Sequence, residues 1–168
     1  MSFYNARGIK LDEEYYFYVC EILENEKFKK LKNYKHYGII TRYEHSLDVS
    51  YMNYRICKYL NLDYISAARA GLLHDFFLDD VENKDIKNFF KCLHPQIALK
   101  NSLQIFKIND IERDIIICHM WPLTLKLPKY KETYIITISD KICCLRDLVR
   151  SLKLRMILNK VIINKMLL

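Results

Sequence analysis

Six side chains of the kinds that bind divalent cations follow one another along the chain as His45, His74-Asp75, His94, His119 and Asp140. Neutral imidazoles and carboxylates suit Mn, Fe, Co or Zn, and six such donors exceed the needs of one tetrahedral ion. On a helix the adjacent His74 and Asp75 point about 100° apart, and two directions from one backbone point suit a pair of ions. Asp75, with two oxygens, is the natural bridge. Ions held about 3.5–4 Å apart activate a bridging hydroxide and neutralise a phosphoryl oxygen, so the expected chemistry is hydrolysis at phosphorus. Read singly, each residue has a plainer role. His94, directly before Pro95, reads equally as a helix N-cap and His119 as a helix-end cation; Asp75 and Asp140 alone read as solvated or salt-bridged carboxylates. The fifth histidine, His36, reads as structural.

The elements that must position these groups are helices. Thr41-Arg42-Tyr43-Glu44 has the form of a capping box, so a helix begins there, carries His45 in its first turn and runs to about Leu60. Asp63 caps a helix over 64–77 whose centre (Ala67, Ala68, Ala70, Gly71, Leu72, Leu73) is small and apolar enough for close packing, with His74-Asp75 at its end. Asp79-Asp80 follows, Asp79 reading as a helix-end residue, and 81–93 reads as irregular or a short helix. Pro95 fits the first position of a helix reaching about Phe106. Asn109 and Glu112 repeat the capping pattern for a helix through Ile115, Ile116 and Cys118 that Pro122 stops. A long helical stretch from about Glu132, expected to break near Ser151, sets Asp140 on the apolar face marked by Ile136 and Cys144. Residues 11–31 read as one helix, acidic early and basic late, as the helix dipole favours.

Composition agrees. With 168 residues and 20.3 kDa the chain is read as one domain, divided into an N-terminal helical extension (1–40), a metal-binding core (41–147) and a helical tail (148–168) that covers the core or meets a partner. Three Gly and three Pro against 51% hydrophobic residues exclude collagen-like and disordered classes and leave too few turn residues for a sandwich or barrel, so the fold class is all-α. A net charge of +7 favours anionic partners. The lysines are spread out rather than gathered with aromatics, which speaks against nucleic acid and for a phosphate-bearing small molecule. Arg42, one turn before His45, and Lys141, beside Asp140, are the cations for phosphate contact. Arg69 reads as a structural ion-pair partner, and Tyr43, Trp121 and Tyr130 are either base-stacking or core aromatics. Six cysteines without CxxC spacing read as reduced, mostly buried apolar residues. No 18-residue apolar run occurs and residues 1–10 are polar, so a cytoplasmic protein without membrane contact is expected; a homodimer is left open.

His45, His74-Asp75 and Asp140, with the run Ala68-Arg69-Ala70-Gly71-Leu72-Leu73-His74-Asp75, resemble the HD superfamily of metal-dependent phosphohydrolases. The intervening His94 and His119 look like its dinuclear branch. The similarity spans about residues 41–147 and implies a five-helix core with two divalent ions, Fe or Mn, at its centre. It implies His45, His74, Asp75 and Asp140 around one ion and His94 and His119, with bridging Asp75, around the other. His94-Pro95 and the run Ile138-Ser139-Asp140-Lys141-Ile142 are similar to the bacterial di-iron hydrolases that split diadenosine tetraphosphate symmetrically, which implies a nucleotide substrate and roles for Asp75 and Lys141, while Arg42 stands as a catalytic candidate on its position alone. One position departs from that branch: Leu78 stands where a Lys usually follows the doublet. A di-iron oxygenase on the same ligand scaffold, and a metal-containing nucleotide-binding module without turnover, are the alternatives.

Overall fold

The structure, a computed structural model, describes residues 10–78 and 84–166, and of residues 37, 84–92 and 158–166 the backbone alone. The expectations for Asp79, for the irregular start at 81 and for the Cys92 thiol lie outside the described residues. Helices α1 (Glu13–Leu23), α2 (Glu26–Lys29), α3 (Arg42–Tyr59), α4 (Tyr64–Leu73), α5 (Lys84–Leu103), α6 (Asp110–Cys118) and α7 (Lys131–Met166) make an all-α domain, with one short antiparallel hairpin, β1 (Lys35–Tyr37) and β2 (Ile40–Thr41).

The caps form as read. Thr41 Oγ1 accepts from the Glu44 N–H at 3.2 Å while Glu44 Oε2 accepts from the Thr41 N–H at 2.8 Å. Asn109 and Glu112 reproduce the arrangement at the start of α6, and Asp63 accepts from the Ser66 N–H at the start of α4. Each side chain answers amide groups that the first helical turn leaves without a partner.

Five boundaries differ from the sequence reading. The helix over 11–31 is interrupted after Leu23, because Asn25 Oδ1 accepts from the N–H groups of Lys27 and Phe28 and starts a new helix there. Phe28 thereby reaches the buried ring of Phe76 and the half-buried ring of Tyr43, at 5.7 and 5.5 Å between centroids. The hairpin was not anticipated; Gly38, at φ +57°, supplies its left-handed turn residue. Helix α4 stops at Leu73 rather than Phe77, because His74 Nδ1 takes the Gly71 carbonyl at 2.8 Å, the acceptor that a further helical turn needs. Pro95 lies inside α5, not at its start; its missing N–H removes one helical bond without ending the helix. Helix α7 runs through Ser151 without a break, since Arg150 to Met156 are mostly strong helix formers, and Gly38 packs against Ser151 so closely that a Cβ there would lie 2.7 Å from its Oγ.

Helices α3 and α4 meet through small residues. A Cβ on Gly71 would lie 2.6 Å from Ser50 Cα, and Ser50 Oγ donates to the Ala68 carbonyl at 2.6 Å. Tyr15 of α1 completes the contact, its hydroxyl 2.8 Å from Ser50 Oγ and its ring edge-on to Tyr51 and Tyr54. Arg69 ties α4 to α6 and α1 through Glu112 (2.7 Å) and Glu21 (3.0 Å), the structural ion pair expected. No helix of the described residues is long and apolar enough to cross a membrane.

Candidate metal centre

Two histidines owe their orientation to helix ends. His74 and His119 occupy the C-cap positions of α4 and α6, where backbone carbonyls lack helical partners. Each ring puts Nδ1 on the carbonyl three residues back, Gly71 and Ile116, both at 2.8 Å. A carbonyl only accepts, so Nδ1 carries the proton and Nε2 presents its lone pair to the interior. His74 Nε2 is buried and has no hydrogen-bond partner.

A third ring is held by carboxylates. His45, from the first turn of α3, places Nδ1 2.8 Å from Asp147 Oδ2 and Nε2 3.0 Å from Asp140 Oδ1. Asp140 and Asp147 lie seven residues apart on α7, two turns along one face, and so reach the same imidazole. Asp140 Oδ1 is also 3.7 Å from His74 Nε2.

Asp75 stands between the two sets. Its Oδ2 is 3.7 Å from His74 Nε2, while Oδ1 is 3.3 Å from His94 Nε2 and 3.8 Å from His119 Nε2. His94 of α5 and His119 bring their Nε2 atoms to 2.9 Å of each other. Every one of the six ligand residues expected from sequence is buried, and α3 to α7 each contribute to one cluster. Within it His45, His74 and Asp140, and likewise His74, Asp75 and His119, hold ligand atoms within 4.8 Å of one another.

No family model, curated protein or solved structure matches the chain.

The electrostatics of the six side chains follow from burial and proximity. Burial works against charge on Asp75, yet the imidazoles of His74, His94 and His119 outweigh it and hold the carboxyl well below its usual range. Asp140 is likewise held low, against burial, by His45 and His74. Burial works to lower His45 and His74, and the carboxylates around them raise both. His119 goes the other way, pushed down to about 3 by burial and by the neighbouring His74 and His94. Protons and divalent cations compete for the same ring lone pairs.

The donor set fits divalent cations on this structure's own terms: an unpartnered buried ring nitrogen, two ring nitrogens aimed at each other, and a carboxylate with an oxygen for each side. Fixing a ligand imidazole through its other nitrogen is the usual way proteins orient metal-binding histidines.

Arg42 is buried, donates to the Phe77 carbonyl at 2.7 Å and lies over the Phe77 ring at 3.7 Å. Lys141 Nζ bonds the carbonyls of Trp121 (3.1 Å) and Thr137 (3.0 Å). Leu78 packs against the core cluster, as does Tyr43, whose ring also takes Lys32 Nζ at 4.7 Å. Trp121 packs edge-on to Tyr134 at 5.7 Å.

Three neighbours of the centre were not read as part of it from sequence. Asp147 was legible as the residue seven after Asp140 on one face. His36, read as structural, lies flat on His45 with ring centroids 3.8 Å apart, brought there by the hairpin; burial and His45 push it down to about 4. Cys144 places Sγ 3.5 Å from both His36 Nε2 and Asp140 Oδ1. The described cysteines are free thiols, and burial pushes Cys57, Cys118 and Cys143 up to about 12, 11 and 12.

Asp147 offers a direct check. Asp147→Asn keeps the shape and removes the charge on His45 Nδ1, so metal affinity is expected to fall about 10–100-fold with helicity unchanged. Titration of the chelated protein with Mn and circular dichroism read the two effects; unchanged affinity would mean that Asp147 plays no part in orienting His45.

Proposed function

We propose that the chain is a metal-dependent phosphohydrolase of the HD type, holding two divalent cations, Fe or Mn, and cleaving a phosphoanhydride or phosphoester bond of a nucleotide. The observation that carries this reading is Asp75, whose two oxygens face two sets of histidine nitrogens inside a buried cluster. His45, His74 and Asp140 would hold one ion and His94 and His119 the other, with Asp75 shared. Bound there, the ions supply a hydroxide at neutral pH and offset charge on a phosphoryl oxygen. The protein's part is to keep the imidazoles of His45, His74 and His119 in the tautomer that offers Nε2 and to exclude bulk water from the carboxylates. The net charge of +7 suits a polyanionic substrate, and a dinucleoside polyphosphate is the first to try. Arg42 and Lys141 are the proposed phosphate cations, each exchanging a backbone carbonyl for a phosphate oxygen.

Elemental analysis of protein purified without oxygen or chelator is the deciding experiment. About two Fe or Mn per chain are expected, with phosphate or nucleotide release from dinucleoside polyphosphates or simpler nucleotides. One ion or none in a folded sample would overturn the dinuclear reading, and two ions with no hydrolysis across that panel would overturn the hydrolase.

A further inference from the structure

Helix α7 presents two unlike faces. Inward, Ile136, Asp140, Cys143 and Asp147 are buried against the rest of the domain. Outward, Ile138, Ile142, Leu145, Val149, Leu152 and Met156 follow one another in alternating steps of four and three residues, and each remains between 37% and 63% exposed. That spacing is the seam of a coiled coil. At 1.5 Å per residue it extends for about 27 Å. A helix face turned to water is normally polar, and while single exposed apolar residues are ordinary, a continuous row marks a docking surface.

The flanks say what it docks. With Ile142, Val149 and Met156 at the a positions and Ile138, Leu145 and Leu152 at d, the e positions are Ser139, which is buried, Arg146 and Lys153, and the g positions Lys141, Leu148 and Arg155. The acidic residues within 138–157, Asp140 and Asp147, are both on the inward face. A second copy of the chain would therefore meet the seam with like charges in either direction: parallel pairing sets Lys141 against Arg146, and antiparallel pairing sets e against e and g against g. A lipid surface has anionic charge, but the stripe is one seam wide and 138–157 contain no aromatic anchor.

We infer that the outward face of α7 receives an amphipathic helix of another protein, apolar along its seam and lined with Glu or Asp on both flanks. Ile and Leu side chains of that helix fill the spaces between the six exposed apolar residues, and its carboxylates face Arg146, Lys153 and Arg155. The site lies on the opposite face of α7 from Asp140 and Asp147 and does not depend on the proposed activity.

The test uses a labelled synthetic helix of about three heptads with Ile and Leu at its seam and Glu at both flanks, and a twin with Lys at the flanks. Anisotropy with the full chain should show the Glu helix binding at least about tenfold more tightly than the Lys helix. The combined Arg146→Glu, Lys153→Glu and Arg155→Glu variant should reverse that preference. Leu145→Glu with Leu152→Glu should abolish binding of both helices, with circular dichroism and bound metal unchanged because both positions are exposed. Equal binding of the two helices, or none, would overturn the inference. So would a wild-type dimer in light scattering that Leu145→Glu dissociates, or sedimentation with phosphatidylserine vesicles that the same substitution prevents without any helix binding.

Discussion

In an Asp75→Ala protein, bound metal and turnover are both expected to be lost while helical content stays near that of the wild type. Asp75 turns Oδ1 toward His94 and His119 and Oδ2 toward His74, so one truncation takes a ligand from each side of the proposed pair. The rate should fall by at least about a hundred- to a thousandfold, the scale on which losing a preorganised charge-stabilising group affects catalysis. The fold should persist for two reasons. Asp75 follows α4 rather than supporting it, and that helix is ended by the bond of His74 to Gly71. The histidines can also release their protons when the carboxylate is gone, so no unpaired buried cation has to remain. Asp75→Asn, which keeps the volume, separates loss of charge from loss of packing. Elemental analysis and nucleotide hydrolysis are the readouts, and turnover persisting in a folded, pure Asp75→Ala sample would end the hydrolase reading. Loss of turnover with both ions retained would instead assign Asp75 to the reaction rather than to holding the ions.

Gly71→Ala should lower both stability and metal affinity, although alanine is the better helix former. The propensity gain is about 1 kcal/mol. Against it, the new Cβ would lie 2.6 Å from Ser50 Cα and 3.2 Å from Ser50 N, backbone atoms of a packed helix that cannot rotate aside. Such overpacking costs about 1–3 kcal/mol or more, and contact with backbone argues for the upper end. At about 2–4 °C per kcal/mol for a chain of this length, the midpoint should fall by about 5 °C. Gly71→Leu, with three more carbons to place, should not fold cooperatively. The two effects are linked by position: α3 carries His45, α4 ends in His74-Asp75, and the Gly71 carbonyl itself orients the His74 ring. Thermal unfolding and Mn titration of the alanine variant check both, and an unchanged midpoint would mean that the helices separate without cost.

Much of the scaffold was legible because it depends on local interactions. The capping boxes at Thr41 and Asn109 and the Asp63 cap are satisfied within three residues, so their chemistry is written in neighbouring letters. The small residues from Ala67 to Gly71 signalled a close helix contact, and Ser50 is what they meet. Boundaries failed where a side chain competed with the helix for a backbone group. Asn25 did so after α1 and His74 at the end of α4. Pro95 misled for the opposite reason, since a helix held by its neighbours tolerates one missing hydrogen bond that a start signal takes as decisive.

The order and types of the six candidate ligand residues, the all-helical class and the capped starts of α3, α4 and α6 follow from spacing and composition alone. Convergence does not. That His45 reaches Asp140 across 95 positions, that Asp147 closes on its other nitrogen and that the hairpin lays His36 flat on its ring depend on the long-range packing of β1, α3 and α7. Sequence spacing carries one helix's geometry within itself, but the distance between two helices is set by the side chains packed between them, and only the folded chain brings those together.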